Sequence, residues 1–157
     1  MKKKRIFSIC SLPAETAKVK ARTRNRLYRF QPEGFRWSGV KVEKYKQEGA
    51  DWKDIVRQNI IGVRGENTKF HFRYFEIMPG GNSSYEVHSH EHVVVCVRGK
   101  GKVRLGSRLI DMNHLDVLYI KAETPHQLFN PYDEPFGFFC IVDSERDRPR
   151  PVKRKKK

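Results

Sequence analysis

The sequence predicts an all-β barrel or sandwich, and three observations carry that prediction. From Thr68 onward, short apolar or alternating runs recur between turn signals at intervals of about eight to twelve residues. One run, Tyr85 to Gly101, sets His88, His90 and His92 at alternate positions, so in a strand all three rings project from one face. No internal repeat of about 20 to 50 residues competes with this reading.

The elements follow in order. Residues 1–30 form a basic N-terminal segment with neither sustained helical nor strand periodicity. Residues 31–67 read as a strand/helix extension packed on the barrel. Within it, GVKVEKYK alternates as a half-exposed strand does, and GADWKDIVRQNIIG predicts a short helix or turn, with Asp51 as cap and Trp52, Ile55 and Val56 at helical spacing. The barrel spans 68–142. TKFHFRYFEIM puts Phe70, Phe72, Tyr74, Glu76 and Met78 on one face and Lys69, His71, Arg73, Phe75 and Ile77 on the other, and PGGN predicts a turn after it. Val93, Val94, Val95 and Val97 supply the β-branched run of a buried strand that Gly99 and Gly101 break. KVRL, LIDM, DVLYIK, HQLFN and GFFCIVD complete the strands. Residues 143–157, rich in proline and charge, predict an extended basic tail leaving the barrel.

The net charge of +15 belongs to the ends. Residues 1–30 hold ten Lys or Arg against one acid, residues 143–157 hold eight against three, and 31–142 hold fifteen against fourteen. A nucleic-acid-binding barrel carries its basic stripe on a folded face, so the tails read as solubilising, with nucleic acid as a possible but not favoured partner. Cys10, Cys96 and Cys140 are an odd set without a CxxC, which argues against a disulfide framework. Cys96 and Cys140, in apolar runs, read as small buried hydrophobes, the alternative being a thiol beside a metal. The apolar stretch after MKKKR is short and stopped by Pro13, and no window reaches the roughly twenty apolar residues of a membrane span. A cytoplasmic protein with no membrane contact is the expectation.

Imidazole nitrogens bind iron, manganese, zinc, nickel and copper. Three alternating histidines plus His126 are therefore a candidate site for a divalent transition metal. First and third residues of such a row lie about 13 Å apart along a straight strand. A single ion requires either a bulge or turn near Glu91 that folds His92 back, or that one of the three is not a ligand. Glu76 and Glu86 are the nearest candidates for a general base, although they read equally well as an exposed strand residue and a rim residue. His71 reads as structural, His114 as surface, Gln127 as outward-facing and Asn130 as support for the site or for a turn.

At this point the sequence resembles the cupin family of small antiparallel β-barrels. The first family motif has two histidines one residue apart, a glutamate, then six residues and a glycine. His88 and His90 match the pair, Gly99 matches the glycine, and His92 stands where the glutamate belongs, with one residue before it instead of three or four. The second motif falls on Leu115, Lys121, Glu123, His126 and Asn130 with its spacing intact, but its glycines and proline are replaced. The resemblance implies a single double-stranded β-helix, or jelly-roll, barrel, a mononuclear metal held by His88, His90, His92 and His126, and a homodimer. It implies an enzyme acting on a small molecule, most plausibly an oxygenase such as a dioxygenase, with isomerase or lyase chemistry on the same scaffold. The competing expectation is a non-catalytic sensor of a metal or small ligand whose tails contact nucleic acid or an acidic partner.

Overall fold

The computed structural model describes residues 24–46 and 51–152, and the regular elements among them are all strands. No helix there is long and apolar enough to cross a membrane. In chain order the strands are β1 (Phe30–Gln31), β2 (Arg36–Trp37), β3 (Val42–Lys44), β4 (Lys53–Ile61), β5 (Phe70–Asn82), β6 (Glu86–Val87), β7 (His92–Arg98), β8 (Gly101–Leu105), β9 (Arg108–Met112), β10 (Val117–Ile120), β11 (His126–Phe129), β12 (Phe136–Asp143) and β13 (Arg150–Pro151).

Every pairing is antiparallel. One leaf runs β3-β4-β5-β12-β7-β10, and the other joins β9, β8, β11, β6 and β13. PGGN does not end its strand as expected. It is the corner at which β5 passes between leaves, with Gly80 at φ 75° giving the bend and Asn82 pairing with Phe129. Period-2 alternation then fills the interior: Phe75, Ile77, Val94, Cys96, Phe138 and Cys140 from the first leaf pack with Val103, Met112 and Leu128 from the second. Gly99 is needed at its turn. Its φ is 59°, and a Cβ there would lie 2.3 Å from the Pro135 carbonyl oxygen.

The short helix or turn expected within residues 49–62 is instead β4, paired along β5. Ile55 enters the barrel interior, while Ile60 faces an outer cluster with Val40 and Tyr74. A strand buried on both faces puts apolar residues at spacings that mimic a helix. Register shifts between Lys53 and Ile55, where Asp54 has φ 47°, add to the irregularity. Asp51 caps no helix. Its carboxylate accepts the Tyr85 amide.

The outer face of the first leaf is covered by the segment carrying β1 and β2. Phe35 stacks on Tyr74 at 5.1 Å between centroids, and Trp37 packs on both Tyr74 and Phe139. At the other end of the chain, residues 144–152 do not leave the barrel: β13 pairs with β6, and Arg150 bridges to Glu123 at 2.7 Å. The basic residues at 1–23 and 153–157 lie outside the described residues.

Candidate metal centre

The histidine row is not one strand. The chain leaves β6 at Val87, bends through Ser89 and His90, and resumes as β7 at His92. The bend near Glu91 cancels the separation a straight strand would impose, and the His88 and His92 rings lie 4.4 Å apart between centroids. His126 opens β11, which pairs with β6 through His126 and Glu86, and this pairing brings the second motif beside the first. The ligating atoms of His88, His92 and His126 lie within 4.8 Å of one another, and all three residues are buried.

Hydrogen bonds fix which nitrogen faces inward. The Nδ1 atoms of His88 and His126 donate to the carbonyls of His90 and Thr124, each at 2.8 Å, so each Nε2 keeps its lone pair. The Nε2 atoms of His88 and His92 are buried without a partner. Burial, then the neighbouring His126 and His90 rings, pushes the His88 pKa down to about 4, and burial drives His92 and His126 down as well. Three neutral imidazoles, two of them with Nε2 lone pairs held free by these bonds, form a donor set that fits a divalent transition metal. Leaving such atoms unmade costs about 1–3 kcal/mol each.

His90 lies beside this set. Its ring stacks on His88 at 3.7 Å, and its Nδ1 donates to Asp147 at 2.6 Å. Asp147 also accepts the Ser89 amide, and that bond, followed by the one from His90, holds its carboxyl well below the usual range. No local pattern marks Asp147 in the sequence, where it sits in a run that reads as tail.

A cavity of about 190 Å³ reaches His92 and His126. Its apolar wall includes Tyr45, Phe75, Leu128 and Phe138, and its polar wall Lys46, Arg57, Arg73, Glu86 and Arg146. Cys140 is its thiol, with Sγ 3.5 Å from His92 Nδ1 and accepting from Arg73 Nη2 at 3.3 Å. Cys96, in contrast, donates to the Arg98 and Gly99 carbonyls within the core. Sequence parity did place Arg73 on the face of β5 opposite Glu76, among Phe75 and Ile77. An arginine sharing a face with Phe75 and Ile77 was the available signal.

The profile of the family described as Cupin domain matches residues 73–142. A curated relative from Rhodospirillum rubrum, named 1-methylthio-D-xylulose 5-phosphate methylsulfurylase, is 38% identical over 120 residues, covering 74% of each chain. The chain belongs to the cupin family. A cupin 2 conserved barrel domain protein from Rhodopseudomonas palustris is 35% identical with a TM-score of 0.74, over 82% of this chain and 87% of its own. A cupin-2 domain protein from Rhodospirillum rubrum is 33% identical with a TM-score of 0.70, over 82% and 84%.

Leu115 and Glu123 stand where the second motif has glycines, and this cupin keeps the turns without them. Leu115 has φ 68° and Glu123 φ 58°, both in the left-handed region that glycine enters freely. Of the two candidate bases, Glu86 is buried at the cavity, accepting from Ser84 Oγ at 2.9 Å and paired with Lys46. Glu76 projects from the other face of β5, where Arg98 and the Tyr74 hydroxyl bond its Oε2. Asn130 serves a turn: its Nδ2 donates to the Ile77 and Glu134 carbonyls, and its Oδ1 accepts the Tyr132 amide. Gln127, expected to face outward, is buried and donates to the Ser83 carbonyl at 2.7 Å. His114 is exposed, and half-buried His71 accepts from Arg146 at 2.9 Å.

Proposed function

We propose that this cupin is a metal-dependent enzyme acting on a small phosphorylated molecule, of the class for which its Rhodospirillum rubrum relative is named: a ketopentose phosphate bearing a methylthio group. The observation that carries the reading is the meeting, in one cavity beside the histidine cluster, of the unpartnered buried Nε2 of His92, the His126 ring, a thiol and several guanidinium groups. A divalent iron, manganese, zinc, nickel or copper ion held by His88, His92 and His126 supplies Lewis-acid polarisation of a substrate oxygen. Pinned by the His90 and Thr124 carbonyls, His88 and His126 keep their nitrogens aimed at one point without reorganisation. Glu86, held through Oε2 by Lys46 and Ser84, is the group assigned to accept a proton at Oε1. Cys140 is assigned to contact the sulfur-bearing part of the substrate. Tyr45, Phe75, Leu128 and Phe138 exclude water from the same space.

A second reading, oxygenase chemistry, is favoured by one feature: three neutral histidines leave positions open for both dioxygen and substrate on a redox metal. One experiment separates the two. The metal-loaded protein is given a 1-methylthio-ketopentose phosphate and a thiol, first without and then with oxygen, while the methyl resonance and oxygen uptake are followed. Loss of the methylthio signal without oxygen supports the first reading, and stoichiometric oxygen uptake supports the second. Silence in both arms with metal bound removes the enzyme and leaves a ligand-binding cupin.

A further inference from the structure

We infer that Arg57, Arg73 and Arg146 form the seat for a phosphate dianion in the cavity beside the histidine cluster. The inference rests on the enzyme reading above and gives its substrate's charged group a place. The three guanidinium groups come from separate parts of the fold, β4, β5 and the segment after β12, and all line one cavity with His92 and His126. Like charges gathered in one partly buried space repel one another unless something neutralises them.

The neighbouring carboxylates account for only part of that charge. Arg57 Nη2 bonds Glu43 at 3.2 Å, and Lys46 is paired with Glu86. Arg73 and Arg146 form no salt bridge among the described residues. Arg73 gives one N–H to the Cys140 sulfur and lies over the Phe75 ring at 5.1 Å, while Arg146 bonds the His71 ring nitrogen and the Asp143 carbonyl, both neutral acceptors. Arg57 Nε and Arg73 Nε are buried and bond nothing. Burial first, then Arg73 and Arg57, lowers the Arg146 pKa, which is the electrostatic trace of the crowding.

Two cations without an ion pair, Arg146 eased only by the nearby Asp143 carboxylate, call for added negative charge. A phosphate monoester carries about −1.5 to −2 at neutral pH and three acceptor oxygens, and guanidinium groups match its geometry with paired N–H donors. A single carboxylate would leave one cation unanswered. The space, about 190 Å³, suits a small phosphorylated metabolite.

The test is calorimetric titration of inorganic phosphate into the full-length protein, metal-loaded and again after chelation. The seat predicts saturable binding near one phosphate per chain, weakened by salt and retained without the metal. Arg146→Gln and Arg73→Gln each weaken it at least tenfold, Arg146→Lys partly restores it, and Arg150→Gln, outside the cavity, leaves it unchanged. Melting curves confirm that each variant is folded, and Arg57→Gln replaces any that is not. Binding that disappears with the metal and ignores these arginines, or no saturable binding at all, overturns the inference. Phosphate binding that needs the arginines, in a protein that turns over no sugar phosphate, leaves the seat standing and removes only the enzyme reading.

Discussion

The two faces of β5 carry similar side chains in opposite states. On the outer face Tyr74 and Arg98 both donate to Glu76, at 2.6 and 2.7 Å, under a lid of Phe35 and Trp37. That polar set is closed within the chain, while beside it Gln58 donates Nε2 to the Phe35 carbonyl and keeps a single buried Oε1 without a partner. On the inner face the cavity is lined by atoms the chain does not satisfy: Nε2 of His92, and Nε of Arg57 and Arg73, with Nε2 of His88 in the adjoining cluster. A buried polar group costs little when bonded and a good deal when not, so the closed face reads as structure and the open one as a place for something the chain binds.

The comparison can be broken most forcefully at the ligands. Replacing His92 or His126 by Ala lowers affinity for a divalent transition metal at least a hundredfold in competition with a chromogenic chelator. The converse change, Glu76→Ala, leaves metal affinity within twofold but strands Tyr74 and Arg98. It costs about 1–3 kcal/mol in denaturant unfolding.

Acid sharpens the contrast further. Once metal is chelated away, His88, with its folded pKa near 4, stays neutral while the unfolded chain takes up protons near pH 6.5. The unfolded state then binds more protons, so stability declines as pH falls from about 6.5 to about 4 and levels off below. His92 and His126, both lowered by burial, act in the same direction. Saturating metal should raise stability throughout without flattening that decline, because the bound imidazoles carry no proton either, and unfolding midpoints measured between pH 4 and 8 with and without metal check it.

The smallest effect concerns the second motif's missing glycines. Leu115 is exposed and holds φ 68°, so Leu115→Gly relieves left-handed strain and should raise stability by about 0.5–1 kcal/mol. Glu123→Gly should gain less, because it also gives up the surface pair with Arg150.

Much of the site was legible because the residues that matter stand in local patterns. Alternating histidines, the motif glycine and the correctly spaced His126 marked the barrel and the neighbourhood of the cluster without separating His92, which joins it, from His90, which stands beside it, and the 13 Å objection itself pointed to the bend at 88–91. The site's partners were not legible because they arrive by topology. Asp147 reaches His90 only because residues 144–152 turn back across β6, and in sequence that run looks like a solvated tail. Burial of β4 on both faces erased its alternation and left an apparent helical spacing at Ile55. Arg57 and Arg146 are unremarkable in a chain with 33 Lys and Arg, and only the fold sets them around one cavity.

The most direct test of the open face is elemental mass spectrometry on untagged protein, wild type beside His126→Ala and Glu76→Ala. Close to one transition-metal ion per chain in the wild type and in Glu76→Ala, with background levels in His126→Ala, is the result expected from the buried, unpartnered nitrogens. Absence of metal from the wild type after reloading with iron, manganese, zinc, nickel and copper in turn, or equal metal in His126→Ala, would contradict it.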